Sequence, residues 1–233
     1  MTLPVAILAG GLATRLGPRT QNIPKSLLEV AGKPFIFHQL ESLRRSKIDQ
    51  VVLCVGHLGE SIQQVVGDGR AIGMKIDYSF DGKKLLGTGG ALRQALSLLG
   101  QSFFVLYGDS YLPIDYQMVE KAFCQSKRLG LMTVYHNQGQ LDRSNVLFAD
   151  NRIVRYDKKN PSSDMQHIDY GLGVLTSNAL DSVPLDQHCE LADVYTDLVE
   201  REQMAGFEVS QRFYEIGSVA GLEETNRFLL EKK

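Results

Sequence analysis

Five residues near the start, Val5-Ala6-Ile7-Leu8-Ala9, run apolar without a break and stop at Gly10-Gly11. A strand that is apolar on both sides can be satisfied only inside a sheet covered on both faces, which is the setting of parallel strands in α/β proteins. The rest of the first half repeats the same grammar. Phe35, Ile36, Leu40 and Leu43 fall at helical spacing, and strands over residues 51–55 and 75–80 bracket a helix around Ser61 to Val66. A helix with Leu92, Leu96 and Leu99 on one stripe leads into the apolar run 103–107. This alternation predicts an α/β fold with a mostly parallel, Rossmann-like central sheet and helices on both faces. Beyond residue 130 the rhythm changes to short strands joined by polar turns, over 131–135, 146–149, 152–156 and 171–175. That half is expected to be mixed or antiparallel, forming a lid, with an amphipathic helix carrying Leu222, Phe228 and Leu229 at the end. No repeat or linker divides the 233 residues, so one domain is expected over 1–233, with functions split between 1–130 and 131–233.

The charge balance narrows the partners. Lys plus Arg number 25 against 27 Asp plus Glu, a formal net charge of −2. This gives no footprint for a nucleic-acid binder, so any phosphate site must be built locally. Cys54, Cys124 and Cys189 are too few and too far apart for a disulfide framework or a zinc cluster. The first residues, Met1-Thr2-Leu3-Pro4, lack the basic region of a signal peptide, and no apolar run is long enough to span a bilayer. A cytoplasmic protein with no membrane partner is the expectation. The five histidines are scattered and are expected on surfaces or helix faces.

Glycines directly after a buried strand let backbone N–H groups approach a phosphate chain. The stretch Gly10-Gly11-Leu12-Ala13-Thr14-Arg15-Leu16-Gly17 is neither GxGxxG nor GxxxxGK[ST], which disfavours a dehydrogenase or a P-loop protein. A plain tight turn is the competing reading, and Arg15 and Lys25 shift the balance by bringing two cations to the loop. A second candidate is Asp109 in Leu106-Tyr107-Gly108-Asp109-Ser110: a carboxylate at the C-terminal end of a parallel strand faces the ligand crevice of such a sheet, though an ordinary turn uses the same residues.

Taken together, Leu8-Ala9-Gly10-Gly11-Leu12-Ala13-Thr14-Arg15-Leu16, Pro24-Lys25-Ser26-Leu27, Lys33-Pro34 and Leu86-Gly87-Thr88-Gly89-Gly90 resemble the ordered motifs of the sugar-1-phosphate nucleotidyltransferases. The resemblance covers nearly the whole chain. It implies transfer of a nucleoside monophosphate from an NTP to a sugar 1-phosphate, with Mg²⁺ as cofactor and pyrophosphate as co-product. By the same resemblance Leu8, Ala9, Gly10, Gly11, Thr14, Arg15 and Lys25 would wrap and neutralise the NTP phosphates. Gly87, Thr88 and Gly89 would approach base and ribose. Asp109 would be catalytic and hold the metal with Glu215, which stands in Phe213-Tyr214-Glu215-Ile216-Gly217 where the family has aspartate. An edge-strand glutamate is the alternative at that position.

In the second half, Asp157-Lys158-Lys159-Asn160-Pro161 is similar to the family's Glu-Lys-Pro segment, which puts the sugar phosphate on Lys158 with Lys159 as competitor. Asp169 and Gly171 correspond to its sugar-contacting strand, with aspartate where asparagine is common. The chain resembles the short members of the family, including the heptose- and mannose-1-phosphate guanylyltransferases, with Asp142-Arg143 as a loose further match. GTP and cell-surface polysaccharide synthesis are therefore expected, and a homo-oligomer is left open. Two other readings stand beside this one: a cytidylyltransferase for a phosphocholine- or phosphonate-like acceptor, and a catalytically silent nucleotide-sugar-binding regulator.

Overall fold

The computed structural model describes residues 2–11, 16–17, 22–139 and 141–232. Its strands are β1 (Val5–Leu8), β2 (Glu29–Val30), β3 (Lys33–Pro34), β4 (Gln50–Val55), β5 (Lys75–Phe80), β6 (Ser102–Tyr107), β7 (Ser110–Tyr111), β8 (Gly130–His136), β9 (Val146–Ala149), β10 (Arg152–Tyr156), β11 (His167–Thr176), β12 (Met204–Val209) and β13 (Tyr214–Glu215). The helices are α1 (Phe35–Arg45), α2 (Gly59–Val66), α3 (Gly87–Leu99), α4 (Tyr116–Ser126), α5 (Leu191–Glu200) and α6 (Val219–Glu231).

Nine strands form one sheet in the order β5-β4-β1-β6-β11-β8-β12-β10-β9. The first four are parallel, as the uninterrupted apolar runs predict. β11 then runs antiparallel to both β6 and β8, and β12 returns parallel to β8. The mixed half expected beyond residue 130 is present, and it is hydrogen-bonded directly onto the parallel half as a continuation of the same sheet. Between Asp169 and Gly173 the register of β11 against β8 shifts, a bulge that re-aims the side chains at the sheet's ligand end.

Strand periodicity sorts the core onto the two faces. Val5, Ile7, Val51, Leu53, Val55, Phe104 and Leu106 face Ile36 and Leu40 of α1, Ile62 of α2 and Val119 of α4. The intervening Ala6, Val52, Cys54, Phe103 and Val105 face Leu92 and Ala95 of α3 and Val194 and Leu198 of α5. A smaller cluster, with Val30, Phe35, Tyr111, Ile216 and Leu229, seats α6 against the two-stranded pairs β2–β3 and β7–β13. Among the described residues, no helix is long and apolar enough to cross a membrane.

His38 takes the helix-face place expected of it: it is buried within α1, and its Nε2 donates to the Val30 carbonyl at 2.7 Å. A buried imidazole keeps its place only with such a partner.

Candidate active site

β1 and β6 end side by side, and the chain leaves both through glycine. The Gly108 N–H donates to the Leu8 carbonyl at 2.9 Å, and a Cβ on Gly108 would stand 2.6 Å from that oxygen. Only glycine fits so close an approach. Asp109 follows immediately, so its carboxylate emerges at the C-terminal edge of the sheet beside the glycine loop.

A cavity of about 420 Å³ opens there. Of the residues the sequence assigns to the nucleotide, Leu8, Ala9, Gly10, Gly11, Lys25, Gly87, Thr88 and also Asp109 line it. Thr14 and Arg15 lie outside the described residues. Gly89 does not line the cavity: its N–H and that of Gly90 both donate to the Cys189 carbonyl, at 2.8 and 3.1 Å. The first turn of α3 is thus pinned to segment 187–190. Thr88 belongs to the same tie. Its hydroxyl donates to Glu190 Oε2 and accepts from the Leu191 N–H, each at 2.7 Å.

The sequence did not point to four further groups in this wall: Cys54, Asp81, His188 and Glu190. Asp81 Oδ2 accepts from the Leu86 N–H at 3.2 Å, and burial lifts its carboxyl above the usual range, that hydrogen bond opposing. Burial, with Asp81 nearby, pushes the Cys54 thiol up to about 12, so it is an inert part of the floor.

A second cavity, of about 560 Å³, adjoins the first and shares Tyr107 and Asp109 with it. Lys158, Asp169, Gly171 and Glu215 line it, with Asp142 and Arg143. Here the acceptor residues assigned from the sequence come together, with one exception. Asp157 faces a neighbouring recess, and its Oδ1 accepts from the N–H groups of Lys159 and Asn160 at 2.9 and 2.7 Å. That carboxylate shapes the turn that presents Lys158. Both lysines line the second cavity, but their ammonium groups part: Lys158 Nζ lies over the Tyr107 ring, 5.7 Å from its centre, whereas the largely exposed Lys159 reaches out to Asp193 at 3.8 Å.

Asp169 sits at the β11 bulge. Its Oδ1 accepts from the Gly171 N–H at 3.0 Å and its own N–H donates to Asn145 Oδ1 at 3.0 Å. Burial raises its carboxyl pKa, with the Gly171 bond and Lys158 opposing.

Glu215 comes alongside Asp109 by strand pairing. In β13 it pairs with Ser110 of β7, and the next residue's N–H, from Ile216, donates to the Asp109 carbonyl at 2.9 Å. Asp109 in turn forms an ion pair with Lys25, Nζ to Oδ2 2.9 Å, partly shielded from solvent. Among the described residues, no group of three or more His, Cys, Asp or Glu is placed to hold a metal. Asp109 and Glu215 are two carboxylates that line the second cavity together. Such a set suits Mg²⁺, which takes one or two carboxylates and completes its shell with water and phosphate oxygens.

The fold is shared with solved structures. The inositol-1-phosphate CTP transferase of T. maritima matches with a TM-score of 0.83 at 22% identity, over 99% of this chain and 96% of that one. HddC from Yersinia pseudotuberculosis, solved in complex with GMP-PN, matches at 0.80 and 21% identity, over 98% of this chain and 100% of that one. The chain belongs to the Nucleotidyl transferase family, whose model matches residues 5–232. Among curated relatives, the N-acetylmuramate alpha-1-phosphate uridylyltransferase of Neisseria meningitidis is 29% identical over 222 residues, 94% of each chain. The D-glycero-alpha-D-manno-heptose 1-phosphate guanylyltransferase of Campylobacter jejuni is 38% identical over 109 residues, 47% of this chain and 48% of that one. The mannose-1-phosphate guanylyltransferase catalytic subunit beta of Drosophila melanogaster is 26% identical over 216 residues, 91% of this chain. The chain spans only 58% of that protein and 54% of a Synechocystis UTP–glucose-1-phosphate uridylyltransferase.

Proposed function

We propose that this protein transfers a nucleoside monophosphate from an NTP to a sugar 1-phosphate, releasing pyrophosphate. The observation that carries the reading is the position of Asp109 at the junction of two cavities, one walled by the glycine loop and the other by Lys158, Asp169 and Gly171. A two-substrate displacement at phosphorus needs this arrangement, with donor and acceptor meeting over one carboxylate.

In this reading an oxygen of the sugar phosphate attacks the α-phosphorus of the NTP. A new P–O bond forms, the bond to the β-phosphate oxygen breaks, and its electron pair leaves with pyrophosphate. No protein base is required, because the second pKa of a phosphomonoester lies near ~6. Catalysis is positioning plus electrostatics. The loop from Leu8 to Gly11 holds the phosphate chain, and Lys25, with Arg15, offsets the charge that develops on pyrophosphate. Lys158 holds the attacking phosphate, while Asp169 and Gly171 receive the sugar, whose hydroxyls can donate to the acceptor-only carboxylate. Asp109 and Glu215 would hold Mg²⁺, which when bound supplies charge neutralisation between the two phosphates.

GTP is the preferred donor in this proposal. Asp81 supports it: a carboxylate in the wall of the donor cavity can accept from the adjacent N1–H and 2-amino groups of guanine, whereas uracil and thymine present one donor between two carbonyls. Two of the relatives are named as guanylyltransferases, for a heptose and for mannose 1-phosphate, and those sugars are the first acceptors to try. A caged quaternary amine is less well supported, since Lys158 already occupies the Tyr107 face. The test is pyrophosphate release from four NTPs against a panel of sugar 1-phosphates. Release with GTP and mannose or heptose 1-phosphate is expected. Preference for UTP, dTTP or CTP by about tenfold, some 1.4 kcal/mol, overturns the guanine assignment. No release with any pair overturns the function.

A further inference from the structure

We propose that Gln39 is a positioning residue that fixes Asp109 at the junction of the two cavities. Gln39 lies on the sheet-facing side of α1 and is 2% exposed. Its Nε2 donates to two carbonyls, that of Tyr107 at 2.9 Å and that of Ser110 at 2.7 Å. Those carbonyls flank Gly108 and Asp109, so one amide group ties the two ends of the turn that carries the carboxylate. The orientation of the amide is not open to reversal, because a flip would set Oε1 against two carbonyl oxygens.

The other side of the turn is held by the backbone: Gly108 N–H on the Leu8 carbonyl, and Ile216 N–H on the Asp109 carbonyl. Glu215 precedes Ile216, so the tie that locates Asp109 also locates the second carboxylate. Among the described residues, the side-chain bonds to the backbone of this turn are those of Gln39, and they come from beneath, through a helix that lines neither cavity.

A purely structural role accounts poorly for this residue. Gln39 Oε1 is buried and has no hydrogen-bond partner among the described residues. Leu or Met would fill the same space without stranding an acceptor. The amide is explained by what its other end holds. Groups placed behind a metal ligand in this way typically change metal affinity or activity by 10–100-fold when removed.

The inference rests on the proposed role of Asp109, and the experiment separates the two. In the full chain, Q39M removes both donors at nearly equal length. Mn²⁺ binding without nucleotide is followed by EPR. The Mg²⁺ midpoint, kcat and both KM values are taken from pyrophosphate release, and folding from the melting curve. A 10–100-fold weaker Mn²⁺ affinity or Mg²⁺ midpoint is expected, with lower kcat and KM values near wild type. Unchanged Mn²⁺ affinity, Mg²⁺ midpoint and kcat overturn the proposal, as does a lower melting temperature with wild-type Mn²⁺ affinity and kcat. If Q39M does not fold, Q39N withdraws the amide by about 1.5 Å and the same outcomes apply. D109N is the control. Wild-type turnover and Mn²⁺ binding in D109N would sink the Asp109 reading itself, while a dead D109N beside a normal Q39M would sink only the role of Gln39.

Discussion

Lys25 Nζ lies 2.9 Å from Asp109 Oδ2, so each holds the charge that the other must give up when substrates arrive. In the proposed reaction Lys25 is needed on phosphate and Asp109 on a cation, and the ion pair satisfies both meanwhile. Replacing Lys25 with Met should therefore act in opposite directions. Turnover should fall by roughly 10²–10³, the usual cost of one preorganised charge partner. Mn²⁺ binding without nucleotide should tighten, because the competing ammonium is gone. EPR titration checks the second effect, and weaker binding would contradict it.

Glu215 offers a test of reach. Glu215→Asp shortens the arm by about 1.5 Å in a backbone anchored to Asp109 through Ile216. Reduced turnover that partly recovers at high Mg²⁺ or with Mn²⁺ is the expected outcome. If Glu215→Ala keeps wild-type turnover at limiting Mg²⁺, Glu215 is not a ligand.

The divergence of Lys158 and Lys159 predicts unequal phenotypes. Lys158→Ala should cost about 2–3 kcal/mol in use of the sugar phosphate, roughly 30- to 150-fold, with NTP binding nearly unchanged. Lys159→Ala should be close to silent, since its partner is a surface carboxylate 3.8 Å away. The reverse ranking in kcat/KM for the sugar phosphate would move the assignment one residue along.

Asp169 predicts a pH signature. Burial raises its carboxyl pKa, so the folded protein holds that proton more tightly than the unfolded chain does. The stability of the protonated state is present below the unfolded value of about 3.9 and is lost as pH rises through the folded value. Asp169→Asn can still accept from Gly171, and it removes that loss. Its melting temperature should exceed wild type at pH 7–8. The gain should shrink toward zero near pH 4. A constant offset across that range would show that Asp169 is not the titrating group.

Gly87 has φ +72°, and a Cβ there would stand 2.6 Å from the Cys189 carbonyl oxygen. Gly87→Ala adds left-handed strain of about 1–3 kcal/mol and displaces segment 187–190 from the cavity wall. A melting temperature lower by several degrees, together with weaker NTP binding, is expected; a loss of stability alone would detach the segment from the nucleotide.

The parallel strands were readable because a strand buried on both faces has no polar alternation to obscure it. Val51 to Val55 and Phe103 to Leu106 could hardly be anything else. α4 and α5 were passed over, although each carries a signal. Leu191, Val194, Tyr195 and Leu198 fall at helical spacing and are buried together, and Asp115 caps α4 by accepting from the Gln117 and Met118 N–H groups. Cavity-lining residues carried by short glycine- or lysine-marked segments were legible. Glu190 and Gln39 were not, because their contacts reach segments distant in sequence, and Asp81 was not, because its bond to Leu86 holds an irregular turn that no motif marks. Thr88 to Glu190 spans 102 residues and Gln39 to Ser110 spans 71, and no local pattern encodes either pairing.

Leu172 of β11 pairs with Leu106 of β6; toward the ligand edge Asp109 follows Leu106 by three residues and Asp169 precedes Leu172 by three. The acceptor's wall and the donor's carboxylate thus rise from adjacent strands of one ladder, and Asp109 is held just past the end of β6 by the turn that Gln39 ties. The scaffold acts as a fixed ruler. Loops such as 81–88, 142–145 and 157–161 can change which base and which sugar are held without altering how far apart the two phosphates stand. Diversification of substrate in a frame of this kind needs no re-invention of the chemistry, and a graft of those loops between relatives should exchange specificity while leaving the reacting distance intact.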